Sequence, residues 1–370
     1  MASLFTFFKK LWNPVSRSKP TKSLVGLELA DALFHDLVAQ KKVPGMAVTI
    51  LRDGVTLLQK GYGFANLENK TAVDPKKTVF RIASISKCIA GVALGKMVEE
   101  GLIDLDASFY DYVPYYPKKK HDFTIRQLAS HTAGIRAYRG KEFALNKPYS
   151  IRQGIEVFKN DPLVFEPGKG YLYNSFDFVL LSVAMQEASG IPFERYVKEK
   201  VLDPLGMNNT FPEKIISTPL NDQFDKKLVA ERSRSYTKTA TGFKKAVEVN
   251  NFYKLAGGGY LSTSDDIAQF GQAILERKLL APETYKELMA SQIVNGRPTY
   301  YGLGFQVSQD AHGRPFVGHV GSSVGAYTNF FVYPDERLVV SLLINCTDPK
   351  VQHQLDSAIH AAINNKAFLA

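Results

Sequence analysis

Apolar residues recur at helical spacing early in the chain and then gather into shorter strand-like runs, so helix and sheet are both predicted near the N-terminus. Leu27, Ala30, Leu33, Phe34, Leu37 and Val38 share one face of a helix predicted over residues 25–41 and closed by Val43-Pro44-Gly45. Residues 46–51 and 55–62 are apolar-rich runs around Arg52-Asp53-Gly54. An Asp-Gly pair tolerates the positive φ of a tight turn, so these runs predict a hairpin. Near the other end, residues 301–307, 326–333 and 338–344 read as strands and 351–364 as a helix. Between about 80 and 253 helical periods dominate, broken at Pro114, Pro117, Gly134, Pro162, Pro167-Gly168, Pro192 and Pro204. The simplest arrangement is an α+β fold, an antiparallel sheet formed by both chain ends and flanked by helices, with an inserted mainly helical lobe. Residues 25–79 plus 255–370 then make the sheet lobe and residues 80–254 the helical lobe, and a cleft between them is the expected site.

Composition narrows the class. The chain has 370 residues, 45% hydrophobic and 22% charged, the make-up of a folded globular protein with room for one large domain or two interleaved lobes. The formal net charge is +10, yet Lys and Arg are spread through predicted helices and loops and no nucleic-acid motif occurs. A solvated basic surface is therefore expected, without a nucleic-acid partner. Cys88 and Cys346 read as buried small hydrophobes rather than a bridge, and no metal or cofactor is expected. Residues 1–24 form a basic leader, with Lys9, Lys10, Arg17, Lys19 and Lys22 and no acid before Glu28. Leu4, Phe5, Phe8, Leu11 and Trp12 fall on one helical face, so residues 1–13 fit a short amphipathic segment lying on an anionic membrane. An organelle transit peptide and a disordered leader fit the same residues. The apolar run precedes the lysines, the reverse of a secretory signal. The expected location is cytoplasmic or membrane-associated, or mitochondrial if the chain is eukaryotic.

Three segments, in order, carry candidate chemistry: Ser84-Ile85-Ser86-Lys87, Tyr173-Asn174-Ser175 and His319-Val320-Gly321-Ser322. Ser-x-x-Lys also occurs at Ser16 and Ser235, and Tyr-x-Asn/Ser at Tyr260 and Tyr327, so setting must decide. Ser84 directly precedes Cys88, Ile89, Val92, Ala93, Leu94, Met97 and Val98 at helical spacing. It therefore starts a helix, with Lys87 on the same face within reach of its hydroxyl, near the positive end of the helix dipole. Gly91 and Gly95 let that helix pack closely on a neighbour. Tyr173 follows a turn and leads into an apolar helix. To act as an anionic base near pH 7 its phenol must fall by about 3 units, roughly 4 kcal/mol, which adjacent Lys87 would supply. A neutral Lys87 as base, with Tyr173 as proton relay, serves equally. Glu166 is a further candidate base, set aside because Pro167-Gly168 put it on an exposed turn. The His319 segment precedes a strand, and Gly321 lets a substrate approach its backbone and pair edgewise. The three segments supply the nucleophile, the proton-transfer group and the oxyanion-side strand of serine acyl transfer.

In this order the segments resemble the penicillin-recognising serine hydrolases: class C β-lactamases, DD-peptidases, D-aminopeptidases and related esterases. The resemblance spans nearly the whole chain and includes residues 80–87, Leu128-Ala129-Ser130-His131-Thr132-Ala133-Gly134-Ile135, Gly257-Gly258-Gly259-Tyr260-Leu261-Ser262-Thr263 and Tyr301-Gly302-Leu303-Gly304-Phe305. Residues 81–87 and 158–163 are most similar to a mitochondrial, filament-forming branch of that family. The leader and residues 210–250 lie outside the resemblance. It implies a β-lactamase/transpeptidase-like fold in which Ser84 is acylated, Lys87 and Tyr173 shuttle protons, and the amides of Ser84 and Ser322 form an oxyanion hole worth about 3 to 4 kcal/mol per donor. Ser175, His319, Gly321 and Ser322 would line the substrate side. Two positions depart from β-lactamases, which usually have Asn at Ser175 and Lys at His319. A Lys stays charged and can hold a substrate carboxylate, whereas a His is mostly neutral at pH 7. The expectation is a serine hydrolase of peptide amides, on a small-molecule or peptide substrate. An esterase or weak class C-like β-lactamase is the nearest alternative, and a polymerising or membrane-scaffold protein with vestigial chemistry a more distant one. A homo-oligomer is left open.

Overall fold

The computed structural model describes residues 24–213 and 231–364. The membrane contact expected of residues 1–13 lies outside them. The elements that position the site are, in chain order, helix α1 (Gly26–Ala39), strands β1 (Gly45–Arg52), β2 (Val55–Asn66) and β3 (Thr71–Ala72), helices α2 (Ile85–Glu99), α3 (Ile125–Ala129), α4 (Phe176–Ser189) and α5 (Ser264–Leu275), strands β4 (Gln306–Gln309), β5 (Pro315–Ser323), β6 (Ala326–Tyr333) and β7 (Leu338–Ile344), and helix α6 (Gln352–Ile363).

The strands form one seven-stranded sheet in the order β4-β5-β6-β7-β1-β2-β3, with every neighbouring pair antiparallel. Asp53 and Gly54 turn the β1–β2 hairpin at φ 51° and 77°, the left-handed region that this pair tolerates. β1 and β7 join the two ends of the chain in register from Met46↔Ile344 to Arg52↔Leu338. Both read as near-continuous apolar runs because both of their faces are covered. Met46, Val48, Ile50, Val340 and Leu342 face Phe34, Leu37, Leu355 and Ile359 of α1 and α6. Ala47, Leu51, Val339 and Leu343 belong to the second core, with Ile267 and Phe270 of α5 and the apolar side chains of α2. This mixture of helices with an antiparallel sheet built from both chain ends is the α+β arrangement expected from the sequence. Among the described residues no helix is long and apolar enough to cross a membrane.

α2 and α4 are buried all round rather than amphipathic: every residue from Ile85 to Gly95 and from Phe176 to Met185 is buried, as expected of helices inside a large core. Gly91 and Gly95 do allow close packing, against two different neighbours. A Cβ on Gly95 would meet Leu280, Leu288 and Thr284, whereas one on Gly91 would lie 2.5 Å from the Leu303 carbonyl oxygen. That second approach corrects the strand expected over residues 301–307. Only Gln306–Gln309 is strand; Tyr301 to Phe305 is a loop crossing α2, with Gly304 at φ 91° and its missing Cβ 2.6 Å from the Lys87 carbonyl. The apolar content of that run is used to pack on a helix rather than to pair in a sheet.

Alanine favours a helix interior over glycine by about 1 kcal/mol, but forcing a methyl into a packed contact costs typically about 1 to 3 kcal/mol. A backbone carbonyl yields less easily than a side chain, so Gly91→Ala is expected to lower the urea midpoint. An unchanged midpoint would show that the Tyr301–Phe305 loop gives way freely.

Candidate active site

Ser84 sits at the N-cap of α2, directly after Ala83. Ala83 holds φ 47°, a conformation disfavoured for a residue with a Cβ and typical of sites where the fold over-determines the backbone. The Ser84 side chain makes no cap hydrogen bond to the helix. Its Oγ instead accepts from Tyr173 Oη at 2.7 Å and lies 3.3 Å from Lys87 Nζ. Lys87 Nζ also donates to the Gly257 carbonyl at 2.6 Å and stands 4.8 Å from the Tyr173 ring centre and 5.4 Å from that of Phe178. Lys87 is fully buried. Burial, helped by the charge of Lys254, pulls its amine down to about 7, against weaker opposing effects of Cys88 and Asp177. Burial pushes the Tyr173 phenol far above its ordinary value, and the hydrogen bond to Ser84 only partly opposes this. The two candidate bases, equal in the sequence, are unequal in the fold. A lysine near 7 is about half neutral at pH 7, whereas even an unshifted tyrosine needs roughly 4 kcal/mol to ionise there.

Tyr173 leads into α4, with Ser175 at the N-cap, half-buried and making no cap bond. Asn174 is turned inward: its Nδ2 donates to the Ile135 and Leu172 carbonyls and to Asp177 Oδ2. Asp177 in turn lies 2.8 Å from His131 Nδ1, both side chains fully buried. Burial drives the Asp177 carboxyl up and the His131 imidazole down, so the pair is carried without net charge. The His131 ring packs 4.6 Å from the Tyr173 ring and 4.7 Å from that of Tyr301, and so backs Tyr173.

His319, Gly321 and Ser322 lie inside β5 rather than before a strand. β4 pairs with β5 only between Pro315 and Gly318, so the remainder of β5 has one open edge. The Val320 amide donates toward that edge, to Gln306 Oε1 at 2.9 Å. Strand alternation sends the amide of Ser322, two residues on, to the same side. A Cβ on Gly321 would lie 3.0 Å from both the Ala83 Cβ and the Ile82 carbonyl, so glycine here lets β5 lie against the segment that carries Ser84. His319 is 1% exposed. Its Nδ1 is 2.6 Å from the Val320 carbonyl, an acceptor only, so Nδ1 carries the proton. Nε2 then accepts from Tyr301 Oη at 3.0 Å. Burial and the nearby Lys87 hold this imidazole at about 3, so the strand presents a neutral ring with both nitrogens occupied.

The structure thus brings Ser84, Lys87, Tyr173, Ser175, His319, Gly321 and Ser322 to one place. Glu166 is on the exposed turn. Of the rival motifs, Ser16 lies outside the described residues and the Ser235 hydroxyl contacts Arg81. Sequence reasoning passed over His131, Asp177, Tyr301 and Lys254. Asp177 left a trace, as the one acid in the apolar run Phe176–Met185 of α4; His131 and Tyr301 stood in blocks noted only for resemblance. Among the described residues no group of three or more His, Cys, Asp or Glu is placed to hold a metal ion.

Comparison with known proteins bears on the family and the fold. The Beta-lactamase family model matches residues 30–364. The human serine β-lactamase-like protein LACTB, mitochondrial, is 28% identical over 88% of this chain and 75% of its own length. The octameric penicillin-binding protein homologue from Pyrococcus abyssi superposes with a TM-score of 0.76 at 25% identity, over 92% of this chain and 78% of that one. D-amino acid amidase from Ochrobactrum anthropi SV3 does so with a TM-score of 0.78 at 20% identity, over 91% and 99%. The fold, the extent of the match and the resemblance legible in the sequence agree: this chain belongs to the β-lactamase family of serine hydrolases and penicillin-binding proteins.

Proposed function

We propose that the protein hydrolyses amide bonds of peptides or related small molecules through a Ser84 acyl-enzyme, with Lys87 as general base and Tyr173 as proton relay. The observation that carries this reading is Ser84 Oγ held between Tyr173 Oη at 2.7 Å and a buried Lys87 Nζ at 3.3 Å. Neutral Lys87 takes the Ser84 proton as Oγ attacks the substrate carbonyl. The oxyanion forms beside the amides of Ser84 and Ser322, each such donor stabilising the transition state by about 3 to 4 kcal/mol. The proton returns through Tyr173 to the leaving amine, and water, activated by the same lysine, hydrolyses the acyl group.

His319 limits the substrate. With a neutral, doubly bonded imidazole where a β-lactamase has lysine, β5 offers no cation to a carboxylate, so neutral amides and esters fit better than β-lactams. The name of the Ochrobactrum anthropi amidase supports amide chemistry on this fold. The octameric state named for the Pyrococcus abyssi homologue supports a homo-oligomer, and the mitochondrial name of the human relative supports that compartment for a eukaryotic chain.

Intact mass after treatment with a fluorophosphonate is the direct test. One adduct on the native protein and none on Ser84→Ala is expected; labelling that survives in Ser84→Ala would refute the assignment. Among substrates, a peptide amide is expected to turn over faster than a chromogenic cephalosporin, and the reverse order would remove the substrate argument.

A further inference from the structure

Lys254 is buried, at 6% exposure, and no carboxylate among the described residues lies within salt-bridge distance of it. Its Nζ donates to the Phe143 carbonyl at 3.1 Å and stands 5.0 Å from the Tyr138 ring centre and 5.7 Å from that of Tyr253. One carbonyl and two aromatic faces leave a buried ammonium under-compensated, and folded proteins rarely retain an unpaired buried charge without a use for it. Its place in the chain suggests the use. Lys254 is the N-cap of the short helical turn Leu255–Gly258, and Gly257 of that turn accepts the hydrogen bond from Lys87 Nζ. The Tyr138 ring beneath Lys254 packs 5.0 Å from Phe176, the first residue of α4 after Tyr173-Asn174-Ser175. One turn therefore carries both the second buried cation and the carbonyl that grips the first.

We infer that Lys254 is a positioning residue for acyl transfer: its buried positive charge disfavours a second one on Lys87, and so keeps the Lys87 amine free to take the Ser84 proton. This rests on the reading of Lys87 as the base. The other ionisable groups facing Lys87 are Cys88 on its own helix, Tyr173 and Asp177 on α4 and its approach, His131 behind them, and His319 and Tyr301 on the β5 side. Burial pushes each of them toward its neutral form, the acids up and the imidazoles down. Lys254 is the other cation on this side of Lys87, three residues before the Gly257 carbonyl that holds the Lys87 amine. The groups around Lys254 are Tyr138 and Tyr253, with Glu142 beyond them engaged by Arg136 at 2.6 Å.

The test is the rate of phosphonylation by a fluorophosphonate across about pH 5 to 9, which needs no knowledge of the natural substrate. In that reaction the Ser84 Oγ–P bond forms, the P–F bond breaks, fluoride leaves and the Ser84 proton passes to Lys87. The native rate is expected to rise with pH through about 7, as Lys87 loses its proton. In Lys254→Met the rise moves up by about one pH unit, so labelling below pH 7 slows about tenfold while the alkaline plateau stays; Lys254→Arg restores the native profile. Lys254→Gln replaces the Met variant if that one loses its melting transition. An unmoved midpoint overturns the inference, including the case in which only carboxylate-bearing substrates suffer, which would make Lys254 a substrate contact. A native profile with no rise near pH 7 would instead defeat the reading of Lys87 as base, and this inference with it.

Discussion

Lys87→Met is expected to lower kcat/KM about 10³-fold or more while leaving the protein at least as resistant to heat. In the proposed mechanism the loss follows from removing the group that accepts the Ser84 proton, since a positioned acid–base group contributes roughly 10²- to 10⁴-fold and would serve both acylation and deacylation. The stability follows from burial. Lys87 is fully buried, and burial drags its amine down to about 7, so the fold disfavours the charged form. Methionine matches its length and carries no such penalty. The sign of the pH dependence is fixed by the same facts. With the neutral amine as the proposed active form, native turnover is expected to rise through about pH 7 and to fall about tenfold for each unit below it. Steady-state kinetics with an activated ester, alongside thermal melts, measure both effects. If Tyr173→Phe lost the larger factor and abolished the rise with pH, the base would be Tyr173.

Arg81→Met is expected to destabilise the fold by about 3 kcal/mol, the low end of the usual effect of breaking a buried ion pair, because a second cation remains. Arg81 and Glu213 are 8% and 4% exposed. Nε of Arg81 meets the two Glu213 oxygens at 2.8 and 3.0 Å, and Nη2 meets Oε1 at 2.7 Å. Arg232 also contacts Glu213, and Asn251 Nδ2 donates to it at 2.8 Å. Burial alone would raise the Glu213 carboxyl, but Arg81 and Arg232 outweigh it and hold it below the ordinary value. This network therefore stabilises the fold above roughly pH 4.3, the unfolded value, and is lost as pH drops through the lower folded one. Urea unfolding measures the loss, and adding Glu213→Gln to Arg81→Met should recover part of it by removing the stranded charge. If the double variant were no better than Arg81→Met, the cost would lie elsewhere, most simply in the bond from Arg81 Nη1 to the Val324 carbonyl at 2.7 Å.

The outer frame was legible because its signals are local. Asp53-Gly54, the amphipathic α1 and the apolar runs of β1, β6 and β7 each state their own conformation. Ser84 and Lys87 were legible for the same reason, since one helical turn relates them. What misled was sequence used across space. Tyr301 to Phe305 looks like a strand until Gly304 is seen as the crossing point over Lys87 and Gly91 of α2. The hydrogen bond from Tyr301 to the second nitrogen of His319 is likewise invisible in the local pattern around His319. The choice between Lys87 and Tyr173 stayed open because it turns on burial, and burial of Lys87 is set by α4, β5 and the turn after Lys254, all more than 80 residues away in sequence.

The seam between β1 and β7 bears on how such a chain is made. Residues 45–52 emerge from a ribosome long before residues 338–344, their hydrogen-bonding partners on one side. Until those arrive, β1 is a long apolar strand with one unsatisfied edge, the kind of surface that recruits other chains. Closing so distant a pairing is slow, so a cell producing this protein has reason to hold the nascent sheet apart, by a chaperone or by dilution, until the last strand is released.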